Sequence, residues 1–400
     1  MRYWLTLFIT CFGILMGICA QKPSQVLNWL NTISSDNTDF LYEIPFEYRK
    51  NSIVIPVSIG NKTYDYIFDT GGFNNLTDEM QAANGFPVLT TQTVGSSNKL
   101  KKQVNIVKAD SVSIGGLILK DVAMLQMNYS DVPGINCTIN GGLIGSSIIK
   151  KFIWKIDYIN KKIIVTDRKT ILPSSPATIK IPVSFDQRLM PHIELRINGN
   201  DEKALFDLGS NTLFSLTQKT AYKYTNEKNS AAIIGAATEG GNGVLKQDVF
   251  FFKANDISIG NAQYINKPVV YAKYNNVNLI GNPVIKDYII TLNFPDGEMY
   301  WEPIASSSQK EGWKSFGFTL AYQDGKVKVA TLYAEYAADK SGLRVGDEIV
   351  AIDGKPLPCN TTCDCLKSLP ALLAAKDTIT LTIQSNNATK DITLTKEKIY

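Results

Sequence analysis

IVIPVSIGNKTYDYIFDTGG, from Ile53 to Gly72, decides the fold, because the chain repeats its pattern as HIELRINGNDEKALFDLGSN, from His192 to Asn211. Each copy has an alternating strand, a polar turn containing Gly and Asn, a second strand and then Phe-Asp-X-Gly. Ile53, Ile55, Val57 and Ile59 fall on alternate positions, the pattern of a half-buried strand. Gly60-Asn61 and Asn198-Gly199 supply the hairpin turns.

A second pair of segments lies downstream. GGLIGSSIIKKFIWKIDYINKKIIVTD, Gly141 to Asp167, is echoed by NLIGNPVIKDYIITLNFPDGEMYWEP, Asn278 to Pro303. In both, an apolar pair and a Gly precede a short helical stretch, a strand, a turn and another strand. The two aspartates are 138 residues apart (207 − 69), and Gly145 and Gly281 are 136 apart (281 − 145). Two motifs that keep nearly one spacing predict two homologous β-rich lobes. Between its motifs each lobe has a Gly-containing stretch suited to a mobile hairpin, near Thr93 to Lys102 in the first and Gly235 to Gly243 in the second.

A repeat that places one Asp in each lobe can bring Asp69 and Asp207 together on a pseudo-twofold axis. Two carboxyl groups a few ångströms apart share a proton, because both cannot ionise easily. The charged member can activate a water while the protonated member polarises a peptide carbonyl, with no metal, cofactor or covalent nucleophile. Ile67-Phe68 and Leu205-Phe206 would seat the two loops in the core, and Gly71 and Gly209 allow close backbone approach. A lone Asp-X-Gly is ordinarily only a turn cap; its repetition carries the reading.

On these residues the segment from Asn51 to Pro303 resembles the retropepsin-like aspartic peptidases, in a single-chain, two-lobed bacterial form. The resemblance rests on Asp69-Thr70-Gly71, Asp207-Leu208-Gly209-Ser210, Leu143-Ile144-Gly145 and Leu279-Ile280-Gly281. It implies two β-barrel lobes, a catalytic pair Asp69 and Asp207, and an extended peptide substrate beneath the flaps. Two positions depart from the family pattern. Leu208 stands where a Thr or Ser hydroxyl ordinarily bonds across the axis, so Thr70 is left to make its half alone. Gly72 stands where Ser, Ala or Thr is usual, whereas Ser210 keeps the usual residue and can bond Asp207. A peptide-binding or chaperone-like protein that uses the same cleft without cutting is the alternative that Leu208 favours.

After a polar stretch at Ser306 to Glu311, the chain from Gly312 to about Lys396 resembles a PDZ domain. The resemblance is carried by Ser341-Gly342-Leu343, Gly346-Asp347-Glu348-Ile349-Val350 and Ile352-Asp353-Gly354. It implies that Phe316-Gly317-Phe318 form a loop receiving a peptide carboxylate, with the next strand offering an edge to an extended peptide terminus or internal segment. Lys314 can add positive charge there. Leu366 to Lys376, with Pro370 near its start, reads as the helix on the other side of the groove. That groove can equally pack on the lobes or on another subunit.

The remaining features bound the setting. Arg2, the apolar run Leu5 to Ile18 and Cys19-Ala20 read as an export signal too short for an ordinary membrane span. Export to the periplasm or the medium is expected, with lipidation of Cys19 as the lesser route. An oxidising destination suits a disulfide among Cys359, Cys363 and Cys365, its pairing left open. A net charge of +4 without a basic stripe argues against nucleic acid as a partner. Val26, Leu27, Leu30 and Ile33 recur with helical spacing behind Pro23. The expected organisation is a signal at 1–20, a helical extension at 21–48, lobes at 49–172 and 173–304, a linker at 305–311 and the PDZ domain at 312–400.

Overall fold

The alternation in the opening segment becomes the strand Ser52–Ile59, in which Ile53, Ile55, Val57 and Ile59 are all buried. The computed structural model describes residues 23–304, 314–385 and 388–399; the signal read at 1–20 and the linker read at 305–311 lie outside the described residues. In the first lobe Ser52–Ile59 pairs with Lys62–Phe68 through the turn at Gly60, whose φ of 59° suits glycine. Lys62–Phe68 runs parallel to Gly142–Ile144, and Asn75–Thr77 pairs antiparallel with the same strand. Asp69 therefore leaves the end of a strand that is clamped from one side by its own downstream motif. A pairing of Ser58 with Ser113 curls the eight-stranded sheet back toward itself.

The second lobe repeats each of these pairings. Pro191–Ile197 pairs with Asn200–Asp207, which runs parallel to Leu279–Gly281, and Phe214–Thr217 pairs antiparallel with that strand. Ile197 opposite Ile257 makes the matching closure. The lobes meet in a six-stranded sheet, where Ile153–Asp157 of one repeat pairs antiparallel with Tyr288–Asn293 of the other, Ile156 opposite Ile290. Its outer strands, Leu41–Pro45 and Ile179–Pro182, begin 138 residues apart (179 − 41), so the repeat extends upstream of the aspartate motifs. Trp154 and Trp301 are wholly buried beside this junction, each against the Phe that precedes its lobe's aspartate, Phe68 and Phe206.

The helical extension expected over 21–48 is helical only at Pro23–Asn31. Leu30 is buried there among Val104, Ile106, Leu125 and Tyr129 of the first lobe. Leu41–Pro45 and Glu47–Arg49 are strands, because each finds an open edge to pair with, Lys162–Thr166 and Ser52–Ile59 respectively.

The segment from Lys314 onward has its own core, which includes Phe316, Phe318, Val329, Leu343, Ile349, Leu369 and Leu381. Its helix runs Thr362–Ala374, earlier than the expected Leu366–Lys376, and Pro370 lies inside it. The start is set by Thr361, whose Oγ1 accepts from the Asp364 amide at 3.2 Å and donates to Asp364 Oδ2 at 2.7 Å. This domain is not a loose appendage. Its strand Lys326–Tyr333 pairs with Ala231–Ile234 of the second lobe, Ile233 opposite Tyr333, making one continuous fourteen-stranded sheet. On the first-lobe side Cys363 is disulfide-bonded to Cys137, while Cys359 pairs with Cys365. The cysteine cluster thus keeps one bridge to itself and sends the other across to a different lobe.

Candidate active site

Asp69 follows directly on its strand and Asp207 ends its own, and the apolar residue before each anchors it: Phe68 and Phe206 are fully buried. The two loops then cross. A Cβ at Gly71 would collide with the Asp207 carboxyl carbon and lie within 2.7 Å of both its oxygens, and a Cβ at Gly209 would do the same to Asp69. Each glycine is therefore the space in which the opposite carboxylate rests. This reciprocal fit brings the carboxyl groups of Asp69 and Asp207 into hydrogen-bonding contact with each other.

The amides are arranged around that pair. Gly71 N donates to Asp69 Oδ1 at 2.8 Å, and Gly209 N and Ser210 N donate to Asp207 Oδ1 at 2.9 and 3.2 Å. Ser210 supplies its backbone amide to Asp207, and its hydroxyl instead accepts from Thr212 N at 3.3 Å. A Cβ at Gly72 would fall 2.5 Å from Asp69 Oδ2, so the carboxylate fills the place a side chain would need. Burial and the neighbouring Asp207 charge push the Asp69 carboxyl well above the usual carboxylate range. Burial also pushes Asp207 up, while its bonds from Asp69, Gly209 and Ser210 hold it back. Both carboxyls are thus raised, and the pair holds a proton where ordinary carboxylates have lost theirs.

The support beneath the pair is lopsided. Thr70 Oγ1 donates across the axis to Phe206 O at 2.6 Å and accepts from Leu208 N at 2.9 Å. Leu208 turns its side chain wholly into the apolar core. A different strut holds its loop. The fully buried Asn282 donates to Leu208 O at 3.2 Å and to Asn51 O at 2.7 Å, and its Oδ1 accepts from Tyr48 OH at 2.7 Å. Asn282 thus ties the second aspartate loop to the first lobe. Its signal in the sequence is only its place directly after Leu279-Ile280-Gly281.

Two hairpins, one from each lobe, meet at their tips. In the first lobe Val88–Gly95 and Lys101–Ile114 form a hairpin around the expected stretch; in the second, Ala237–Gly240 and Gly243–Lys246 form one that runs past the expected end at Gly243. Asn98 at the first tip is almost wholly buried, and its Nδ2 donates to Thr238 O and Gly243 O, both at 3.0 Å. Asn242 returns the contact, donating to Val94 O at 2.9 Å and Leu100 O at 3.0 Å. Glu239 of the second hairpin turns its carboxylate onto the amides of Gly134 and Ile135 in the first lobe. His192, the chain's single histidine, lies 3.8 Å from Asp186 and contacts neither aspartate.

In the C-terminal domain Phe316 and Phe318 are buried, and Gly317 between them holds a left-handed φ of 80°. The Gly317 amide is occupied by Ser315 Oγ at 3.1 Å. Phe318–Gln323 pairs along one edge with Lys326–Tyr333, and among the described strands its other edge is free. Lys314 is exposed, two residues before the loop, and Lys396 stands 5.3 Å from the Phe316 ring.

A protein-family model described as PDZ domain matches residues 315–395. No curated protein matches the chain. The chain carries a PDZ domain, and with it a module suited to binding a protein or peptide. No helix among the described residues is long and apolar enough to cross a membrane.

Proposed function

We propose that this chain is an exported aspartic endopeptidase, built from two retropepsin-like lobes, whose PDZ domain docks its substrate or a partner. The observation that carries the reading is the crossing of the two loops, in which each glycine makes room for the opposite carboxyl group.

The reaction follows from the shared proton. A peptide lies extended beneath the hairpins with its scissile carbonyl over Asp69 and Asp207. The charged carboxylate takes a proton from a water as that water's oxygen bonds the carbonyl carbon. The protonated carboxyl hydrogen-bonds the carbonyl oxygen and delivers its proton there, giving a tetrahedral diol. Collapse breaks the C–N bond as the nitrogen takes the proton now held by the dyad and a diol hydroxyl returns its own to the other carboxylate, and the new carboxylic acid and amine depart. Atoms and charges balance with water as the only co-reactant. The raised carboxyls of Asp69 and Asp207 suit a pair that starts this cycle holding one proton between them. Export is supported by two disulfides, one of them joining residues 226 apart in sequence.

Leu208 favours a second reading, a peptide binder that does not cut, because it removes one of the paired cross-axis hydroxyls. Incubating the mature protein with a peptide library, beside Asp69→Asn and Asp207→Asn, separates the two. Cleavage by the parent should fall at least about 10³-fold in either variant, since water activation needs both carboxyls. A folded parent that binds peptides and leaves them intact would establish the binder instead.

A further inference from the structure

The helix Thr362–Ala374 lies across the strand Phe318–Gln323, and its direction can be read from its ends. Ala374 O accepts from Lys396 Nζ at 2.9 Å, and that ammonium stands 5.3 Å from the Phe316 ring. The helix C-terminus is therefore at the Phe316-Gly317-Phe318 loop, and its N-terminus, carrying Cys363, is at the Gln323 end. A peptide whose terminal carboxylate sits at the loop must add antiparallel to Phe318–Gln323. Its upstream residues then leave the groove past Cys363 and Gln323.

Both sides of that exit reach the second lobe's hairpin. Cys363 is bonded to Cys137, which closes the short helix Pro133–Asn136 whose amides hold Glu239 of the second hairpin. Eight residues before Cys137, Tyr129 is buried within the field of Asp69 and donates to Asn75 Oδ1 at 2.9 Å. On the Gln323 side a cavity of about 530 Å³ is walled by Gln323 and Val345 of the PDZ domain and by Gly235, Lys246 and Asp248 at the base of the second hairpin. The groove itself is apolar, with Leu320, Tyr322, Leu366 and Leu373 half-buried along strand and helix.

Resting on the endopeptidase reading and on the ordinary PDZ mode of holding a peptide by its C-terminus, we infer that this groove delivers the held chain to the hairpins, so that the substrate is cut upstream at a set spacing from its terminus. The carboxylate takes the Gly317 amide from Ser315 Oγ, with Lys396 and Lys314 nearby in charge support. The upstream chain passes the Cys137–Cys363 bridge and enters beneath the two hairpins. The position of the cut is then measured from the terminus as well as chosen by the residues around the bond.

The test uses the full mature chain and two readouts. In the Asp69→Asn variant, a Leu-terminated peptide bearing an upstream photo-crosslinker should label residues 129–139 and 237–246. Its C-terminal amide should bind about tenfold more weakly, the loss expected for one charge-assisted hydrogen-bonding group. In the parent, peptides with one cleavable sequence at increasing distance from the terminus should show a single optimum in kcat/KM, lowered about tenfold by amidation. Labelling confined to PDZ residues, or acid and amide that bind and are cut equally, overturns the inference. Labelling of 129–139 and 237–246 without cleavage at any spacing supports the delivery and overturns the endopeptidase reading instead.

Discussion

At the residue scale the site is built from what is missing as much as from what is present. Gly71 and Gly209 have no side chain because the opposite aspartate occupies the space, and Gly72 has none because Asp69 itself does. Thr70 keeps the cross-axis bonds to Phe206 and Leu208 that Leu208 cannot return, and Asn282 holds the Leu208 carbonyl from the other side. Bringing two buried carboxyls together has a thermodynamic consequence with a definite sign. Both are raised above the ordinary aspartate value of 3.8, so above that pH the folded state binds more protons than the unfolded chain. The pair's contribution to stability is thus greatest below the unfolded value and declines as pH rises through the folded ones. Asp69→Asn should flatten that decline. Its Tm relative to the parent should improve from about pH 4 toward neutrality, as the parent's pair loses its shared proton. Parallel Tm profiles for the two proteins across that range would contradict a raised, proton-sharing pair.

At the element scale the two hairpins are latched by amide side chains. Asn98 has four hydrogen bonds at a turn that is otherwise surface, two of them to the opposite hairpin. On the proposed endopeptidase reading, a substrate parts this contact before it reaches the carboxyls. Asn98→Ala leaves the Thr238 and Gly243 carbonyls without that donor, a cost of about 1–3 kcal/mol. Amide exchange should quicken at 94–102 and 237–246 while global Tm moves little; unchanged exchange there would show that the tips are held by something else. The strands were legible because their periodicity is local: Ile53, Ile55, Val57 and Ile59 state a buried face outright. The hairpins were legible as Gly-bearing turns. The latch was not, because Asn98 and Asn242 look like any turn asparagine until the other lobe arrives. The PDZ helix begins four residues before its expected start because Thr361 and Asp364 form a cap upstream of the apolar run.

At the scale of the whole molecule the PDZ domain is joined to both lobes. Strand pairing of Ile233 with Tyr333 extends the second lobe's sheet into it, and Cys137–Cys363 fastens it to the first. The repeat was visible in the sequence as two spacings of almost equal length, whereas Cys137 stood alone and gave no sign of a partner 226 residues away. Closing so long a loop restricts the unfolded chain strongly. Replacing both Cys137 and Cys363 by Ser should lower stability by about 2–5 kcal/mol, read by thermal unfolding, and leave the Cys359–Cys365 bridge intact by peptide mapping. Equal stability of the variant and the parent under non-reducing conditions would show that the tether contributes nothing.

The central claim is that Asp69 and Asp207 act as one unit sharing one proton, and the most direct measurement is kcat/KM against pH with a cleavable peptide, from about pH 3 to 8. The expected profile is a bell: the rate rises as the first of the two carboxyls ionises and falls as the second does, because only the singly protonated pair both activates water and polarises the carbonyl. A rate that rises through a single ionisation and holds its plateau to pH 8 would contradict the shared proton and, with it, the mechanism.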